Sequence, residues 1–255
     1  MRKNEQKREK RGKGAPVFGL LVFAFIASFA AYSASVWTQD WRTASREPAG
    51  IAPDPAVVKE AVVQVYVARA FNWRGFFGVH SWIAVKPANA PQFTVYEAIG
   101  WNLRRGGTSL AIHNRPADAR WFGATPKIIA DIRGRGVDGV IQRIDAAARS
   151  YPLAGTYRVW PGPNSNTFTA YVARAAPELK LDLPPTAIGK DYIPGGVFAK
   201  PPGGEGFQVS LFGMLGLLVG SEEGVEVNLL GMVYGVDPLG PALKLPVVGR
   251  LGWGR

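Results

Sequence analysis

The sequence predicts an α+β fold, in which an N-terminal transmembrane helix precedes a globular domain with an antiparallel sheet and a C-terminal β-rich extension. An unbroken apolar run, Val17–Trp37, follows a basic N-terminus. Three segments rich in valine and aromatic residues then follow one another with short turns between them, as in a meander of strands. Apolar residues recur at helical spacing between Asp138 and Arg149. Strands followed by helices are typical of the α+β class.

The N-terminal segments set the expected location of the chain. Residues 1–15 form a basic tail, and residues 16–37 are long enough to cross a hydrocarbon core of about 30 Å as a helix. Basic residues beside a span stay in the cytoplasm, so we expect a single-pass protein of the cytoplasmic (inner) membrane with its globular domain in the periplasm. The lipid bilayer is therefore a predicted partner through residues 16–37. Trp37 and Trp41 lie where an interfacial aromatic belt is expected.

A cleavable signal peptide is the alternative interpretation of this segment. Ser33-Ala34-Ser35 resembles a small-residue cleavage site. The apolar run is longer than a usual signal core, which favours an uncleaved anchor. Both interpretations place the domain in the same compartment.

Composition excludes several classes of function. The formal net charge is +11, but seven of the thirty Lys and Arg residues and two of the nineteen Asp and Glu residues lie before residue 14. The remaining basic residues are scattered among carboxylates, so no nucleic-acid partner is expected. The absence of cysteine excludes disulfides, thiolate metal sites and cysteine nucleophiles, and it suits an oxidising compartment. With only two histidines, His80 and His113, no metal or other cofactor is expected.

Proline-rich and glycine-rich segments mark the predicted boundaries within the exported part of the chain. Residues 38–57 are polar and proline-containing and are predicted to be a linker, and residues 58–255 the extracytoplasmic domain. Within it, residues 58–176 form the predicted core and residues 177–255 the extension. The predicted strands of the core are Val62–Phe71, Phe76–Lys86 and Gln92–Trp101.

The later elements are assigned from helix signals and turn residues. Thr125-Pro126 and Gly134 resemble the start and stop of a helix around IIADIR, and Asp138–Arg149 is a predicted amphipathic helix. A further helix begins near Ser165, after a turn rich in proline and asparagine. In the extension, Gln208–Val219 and Val225–Val236 are predicted to be the two arms of one hairpin.

Three residues are candidates for chemistry, each with a structural alternative. His80 is a mid-strand histidine, which is either packed and hydrogen-bonded or a general base. Ser165 is either a helix N-cap or a nucleophile that benefits from the helix dipole and free backbone N–H groups. Glu97 shares a predicted strand face with apolar residues, so it either orients His80 or pairs structurally with Arg104, Arg105 or a backbone donor.

Four blocks carry a resemblance to a known family. They are GVHSWIAVK, WPGPNSNTF, LPPTAIGKDY and ALKLPVVGRLG. On these blocks the chain is identified as a member of an uncharacterised bacterial family, the domain-of-unknown-function family 3750, from Val62 to the C-terminus. This resemblance implies no activity.

A more distant resemblance implies a site. His80-Ser81-Trp82 and Asn164-Ser165-Asn166-Thr167-Phe168 are similar to the histidine and cysteine blocks of circularly permuted papain-like proteins of the NlpC-type and lecithin:retinol acyltransferase-like group. The resemblance implies a papain-like core with Ser165 in place of the cysteine, His80 as base and a loosely placed Glu97 as orienting group. The turn at Asn164 and Asn166 would then form an oxyanion hole.

The exchange of cysteine for serine leaves two hypotheses. A serine hydroxyl is not readily ionised, so it needs a base within hydrogen-bond reach. The first hypothesis is a non-catalytic envelope module that binds a cell-wall or lipid-derived ligand. The alternative is a serine amidase or esterase that acts on an envelope component through Ser165 and His80. A structural protein of an envelope assembly is a third interpretation, which no residue positively supports.

Overall fold

A computed structural model describes residues 14–36 and 39–252 and contains two antiparallel sheets. The first sheet has five strands in the order β4-β3-β2-β1-β5. Its strands are β1 (Val62–Arg69), β2 (Val79–Lys86), β3 (Thr94–Ala98), β4 (Leu110–Asn114) and β5 (Lys127–Arg133). The predicted meander of three adjacent strands is confirmed, because β1 pairs with β2 and β2 with β3, each antiparallel.

Both faces of this sheet are covered, which explains why its central strands are buried along almost their whole length. One face, with Val65, Ile83 and Tyr96, packs against two helices, α4 (Val137–Arg149) and α5 (Ser165–Arg174). The opposite face carries Tyr66 and Trp82. We call the face that packs against α4 and α5 the helix face of the first sheet. The face that carries Tyr66 and Trp82 is called the open face, although its side chains are also buried.

The predicted helices at Asp138–Arg149 and Ser165 are confirmed. In α4 the apolar residues Val140, Ile141 and Ile144 are buried, as the helical spacing requires. Helix α5 begins with a capping box, in which the Asn164 side chain accepts from the backbone of Thr167 and the Thr167 side chain accepts from the backbone of Asn164.

The predicted helix around IIADIR is wrong, because residues 127–133 form β5. The segment pairs antiparallel with β1, from Val62 opposite Arg133 to Val67 opposite Lys127. Its β-branched residues favour a strand, and pairing with a distant segment outweighs the local helix signals at Thr125-Pro126.

The second sheet is a seven-stranded meander at the C-terminal end. Its strands are β6 (Phe198–Ala199), β7 (Gly206–Leu211), β8 (Leu215–Gly220), β9 (Gly224–Leu229), β10 (Met232–Asp237), β11 (Ala242–Leu245) and β12 (Gly249–Gly252). The predicted single hairpin is wrong, because each predicted arm contains a turn of its own. The turn between β9 and β10 is Leu230-Gly231, and both residues have positive φ, as a two-residue type I′ turn requires.

The apolar N-terminal segment forms helix α1 (Gly14–Val36), and Val17–Val36 is long and apolar enough to cross a membrane. Its aromatic residues pack on Phe76 and Phe77 of the short helix α2 (Arg74–Phe77). A second short helix, α3 (Gly100–Leu103), follows β3. The predicted basic tail up to residue 13 and the belt residue Trp37 lie outside the described residues.

The segment predicted to be a linker lies against the open face. Pro48 bridges to Ala119, and the Asp118 carboxylate accepts hydrogen bonds from the backbone N–H groups of Ile51 and Ala52 at 2.7 and 3.2 Å. These contacts fix part of residues 38–57 on the domain.

Candidate functional site

The buried carboxylate of Glu97 contacts both histidines of the chain and an arginine. His80 Nε2 lies 2.7 Å from Glu97 Oε2, and His113 Nε2 lies 2.8 Å from Oε1. Arg115 donates to the same Oε1 through Nε at 3.2 Å and Nη2 at 3.1 Å. Only 1% of the Glu97 surface is exposed. Both carboxylate oxygens are therefore engaged by cationic or imidazole donors.

Strand alternation brings these side chains together. Glu97 lies on β3 opposite Ala111 of β4, and His113 lies opposite Val95, so Glu97 and His113 project from the same face. His80 shares this face with Trp82, two residues further along β2. The site is thus built on the open face, across three neighbouring strands.

Charge and burial fix the protonation of the site. Burial alone would raise the pKa of Glu97, but hydrogen bonds from His113 and His80 and the positive charge of Arg115 hold the pKa well below its usual range. Burial lowers the pKa of His80, although Glu97 opposes that shift. At neutral pH His80 is therefore uncharged and Glu97 ionised. The Nε2 atom of His80 must then carry the proton that it shares with Glu97, which leaves the lone pair on Nδ1.

An aromatic stack covers this polar cluster. The ring of His80 lies on that of Trp121, with centroids 3.5 Å apart, and Trp101 stacks on Trp121 at 5.7 Å. The guanidinium of Arg115 lies 5.0 Å from the ring centroid of Trp82. Trp101 is 39% exposed and the His113 side chain 42% exposed, so the stack and the polar cluster reach the surface together.

A groove of about 510 Å³ continues from this surface. The residues that line it include Arg115, Asn114, Asp118 and Phe93, together with prolines of the 48–55 segment. Arg115 belongs both to the groove and to the Glu97 cluster. A ligand in the groove would therefore contact the cluster through Arg115.

The structure brings His80 and Glu97 together, but it places Ser165 elsewhere. Helix α5 packs on the helix face, where Asn166 Nδ2 donates to the Val79 carbonyl at 3.0 Å and Ser81 Oγ donates to Thr169 Oγ1 at 2.9 Å. His80 lies between Val79 and Ser81 on β2, so its side chain points to the opposite face. Among the described residues, no hydrogen bond joins Ser165 to His80.

Ser165 has a different neighbour, Tyr157. Burial raises the pKa of Tyr157, and hydrogen bonding to Ser165 opposes that rise. Only 3% of the Ser165 surface is exposed. The hydroxyl therefore belongs to the packing at the start of α5.

Asn164 and Asn166 hold loops in place. The Asn164 amide donates to the carbonyls of Val159 and Ile188 at 3.0 and 2.9 Å, and the Asn166 amide also donates to Ile188, at 2.8 Å. The backbone N–H groups of Asn166 and Thr167 both donate to Asn164 Oδ1. These two N–H groups are occupied, so they are not free to bind an oxyanion.

Sequence reasoning missed Arg115, Trp121 and Trp101, and it assigned no role to His113. The available signal was the spacing of two between His113 and Arg115, together with the rarity of histidine in the chain. The described residues contain no group of three or more His, Cys, Asp or Glu side chains arranged to hold a metal ion.

The family comparison covers this site. The model of one family, described as "Protein of unknown function (DUF3750)", matches residues 60–192. The match includes His80, Glu97, His113 and Arg115, and it ends before the second sheet, whereas the sequence blocks extended the resemblance to the C-terminus. No curated protein and no solved structure matches the chain. Because the matched segment spans more than half of its residues, the chain belongs to the family of proteins of unknown function DUF3750.

Proposed function

We propose that this protein is a membrane-anchored envelope protein whose family domain binds a cell-wall or lipid-derived ligand without catalysis. The binding surface is formed by Trp101, Trp121, His113 and Arg115, and it continues into the adjoining groove. The observation that carries the proposal is the exposed Trp101 ring, stacked on Trp121 beside a half-exposed histidine.

The chemistry of this surface favours a ring-shaped polar ligand. Binding sites combine aromatic walls with a few fixed polar groups, and here the aromatic wall is Trp101 and the fixed polar group is His113. The His113 ring is held by its Nε2 atom on Glu97, which leaves its Nδ1 atom as the second polar atom of the ring. A sugar ring of the cell wall suits this pairing, since it has an apolar face and hydroxyl groups at its edge.

The same contacts favour binding over hydrolysis. A serine nucleophile needs a base within hydrogen-bond reach, and Ser165 has no hydrogen bond to His80. His80 is itself buried between Trp121 and Glu97. In this proposal, His80 positions the Glu97 carboxylate beneath the binding surface.

Anchoring is the second part of the proposal. The segment Val17–Val36 of α1 has a mean hydropathy of 2.1, and none of the residues in its most apolar part is buried inside the molecule. A bilayer is the environment that suits such a helix. We place the basic N-terminus in the cytoplasm and the domain in the periplasm, as the distribution of basic residues favours.

The test is a titration of the full chain in detergent micelles, followed by tryptophan fluorescence. The two probes are a soluble disaccharide-peptide fragment of peptidoglycan and glycerol phosphate, which separate a glycan from a lipid headgroup. We expect saturable binding of the glycan fragment, weakened at least tenfold by Trp101→Ala. The matched control is Trp73→Ala, which removes an exposed tryptophan directly before α2. The proposal would be overturned if the Trp101→Ala and native proteins bound the glycan fragment with equal affinity. It would also be overturned if neither probe bound to the native protein.

A further inference from the structure

The outer face of the second sheet is apolar across all its long strands. The exposed side chains in its strands are Phe198, Phe207, Leu211, Leu215, Leu217, Val225, Val227, Leu229, Tyr234, Val236, Leu243 and Leu251. None of these side chains is charged. The strand register aligns them in rows: Val227, for example, lies between Leu217 and Tyr234.

The inner face of the same sheet carries the charged residues. Glu226 accepts from Lys190, and from Lys244 at 2.8 Å, while Lys244 also donates to Asp182 at 2.6 Å. Asp237 accepts from Arg250 at 2.8 Å. This arrangement inverts the usual pattern, in which a half-exposed sheet turns its apolar side chains inward. The inversion indicates that the outer face meets an apolar environment.

The size of the face supports the same conclusion. Seven strands spaced about 4.8 Å apart give a width of about 29 Å, and six-residue strands are about 20 Å long. The largest apolar patch on a typical soluble monomer covers about 300–600 Å² and often marks an interaction site. This face lies at the upper end of that range.

The packing of α2 against α1 indicates which apolar environment surrounds the outer face. The rings of Phe25, Phe29 and Tyr32 of α1 lie 5.2 to 5.7 Å from the ring of Phe76. At a rise of about 1.5 Å per residue, Tyr32 lies about 6 Å and Phe25 about 16 Å from the end of α1 at Val36. If α1 spans the bilayer, α2 must lie beside its hydrocarbon-spanning part. The domain then dips into the membrane.

A chain of contacts connects α2 with one end of the second sheet. The Val79 N–H group, just after α2, donates to Thr186 O, and Asn164 binds both Ile188 and Val159. The adjoining Trp160 donates from Nε1 to the Leu230 carbonyl at the β9–β10 turn, at 2.9 Å. Large apolar side chains are exposed at both ends of this chain of contacts: Trp73 directly before α2, and Val159, Trp160, Phe212 and Leu230 at or beside the β7–β8 and β9–β10 turns. Exposed aromatic residues of this kind are enriched at membrane interfaces.

We propose that the outer face of the second sheet, together with the end marked by Trp73 and Trp160, docks on the lipid bilayer that α1 enters. The proposal rests on the anchoring proposed above. Its occupant is lipid acyl chains and headgroups, because the uncharged face and the aromatic end match the two layers of a bilayer surface. A second copy of the chain could cover the sheet, but it would not account for the depth of α2 along α1.

The test uses single cysteines, since the chain has none of its own. The full chain is reconstituted in vesicles of phosphatidylethanolamine and phosphatidylglycerol and labelled with an environment-sensitive fluorophore. Val227→Cys reports on the centre of the outer face and Phe23→Cys reports on α1. The matched control is Ala88→Cys, an exposed position after the end of β2 that is remote from α2. Lipids with nitroxide groups on their acyl chains serve as quenchers.

We expect at least twofold stronger quenching at Val227→Cys than at Ala88→Cys. Quenching at Phe23→Cys but not at Val227→Cys overturns the docking and leaves the anchoring intact. If Phe23→Cys is not quenched, the anchoring itself is wrong. Energy transfer between Val227→Cys molecules labelled with donor and acceptor, without quenching by lipid, overturns lipid docking and assigns the face to a second copy.

Discussion

The imidazole of His80 stacks on the indole of Trp121, with ring centroids 3.5 Å apart and ring planes 11° from parallel. The stack covers one ring face of His80, while its Nε2 atom is held by Glu97. His80 is therefore a fixed, buried link between an aromatic surface and a buried carboxylate. A second buried charge network, around Glu226, lies beneath the C-terminal sheet.

Replacing Glu97 by glutamine should destabilise the fold substantially. The substitution removes a buried negative charge that compensates Arg115 and accepts hydrogen bonds from two histidines. Removing one partner of a buried ion pair costs about 3–5 kcal/mol, and glutamine retains one acceptor, so we expect a loss of about 2–4 kcal/mol. The measurement is thermal unfolding of the full chain in detergent. The control is Glu178→Gln, which breaks the exposed pair with Arg143 and should cost less than about 1 kcal/mol.

The same cluster should make the fold sensitive to acid. The pKa of Glu97 is depressed in the folded protein, so its contribution is present above the carboxyl pKa of the unfolded chain and is lost as the pH falls below it. The pKa of His80 is also lowered, so the unfolded chain binds a proton first and stability falls as the pH drops through the ordinary histidine range. We expect these two titrations to lower the melting temperature on acidification, against the opposing titration of Glu223, whose pKa burial raises to about 6. The difference between native and Glu97→Gln proteins should shrink at the acid end, and a constant difference would contradict this account.

Replacing Glu223 by glutamine should stabilise the protein at neutral and alkaline pH. Glu223 Oε2 is buried without a hydrogen-bond partner, and Oε1 accepts from the Gly203 N–H group at 2.6 Å. Burial raises the pKa of Glu223 to about 6. The fold is thus favoured by the protonated form, which is fully present below the unfolded pKa and is lost as the pH rises through about 6. We expect a gain of about 1–2 kcal/mol at pH about 8 that disappears at pH about 4.5. An equal gain at both pH values would rule out this explanation.

The elements that the sequence predicted correctly are those whose signals lie within a single segment. The periodicity of α4 and the asparagine cap of α5 are properties of one segment, and both helices were predicted correctly. By contrast, β5 pairs with β1, which lies some sixty residues earlier, and this pairing leaves no local signal. The turns at Phe212-Gly213 and Leu230-Gly231 were missed because a large apolar residue with positive φ is an uncommon start to a turn.

The residues of the site could be predicted where their strands were recognised, because alternation then fixes which side chains share a face. His80 and Glu97 lie on predicted strands, and their contact was one of the two alternatives that the sequence left open. His113 and Arg115 lie on or just after β4, which the sequence analysis did not recognise as a strand. The distance between Ser165 and His80 depended on which face of β2 receives α5. The hydrogen bonds of Val79 and Ser81 to α5 settle that choice, and no single segment encodes it.

Ser165 should not react with a fluorophosphonate probe. Its hydroxyl is buried beside Tyr157 on the helix face, the nearby N–H groups of Asn166 and Thr167 already donate to Asn164, and no hydrogen bond joins it to His80. We therefore expect the full chain in detergent to show no labelling above that of Ser165→Ala. Both proteins should bind the peptidoglycan fragment equally, because the proposed surface lies on the open face. Labelling of the native protein that is lost in both Ser165→Ala and His80→Ala would show that the two side chains meet in solution, and it would establish the serine amidase or esterase alternative.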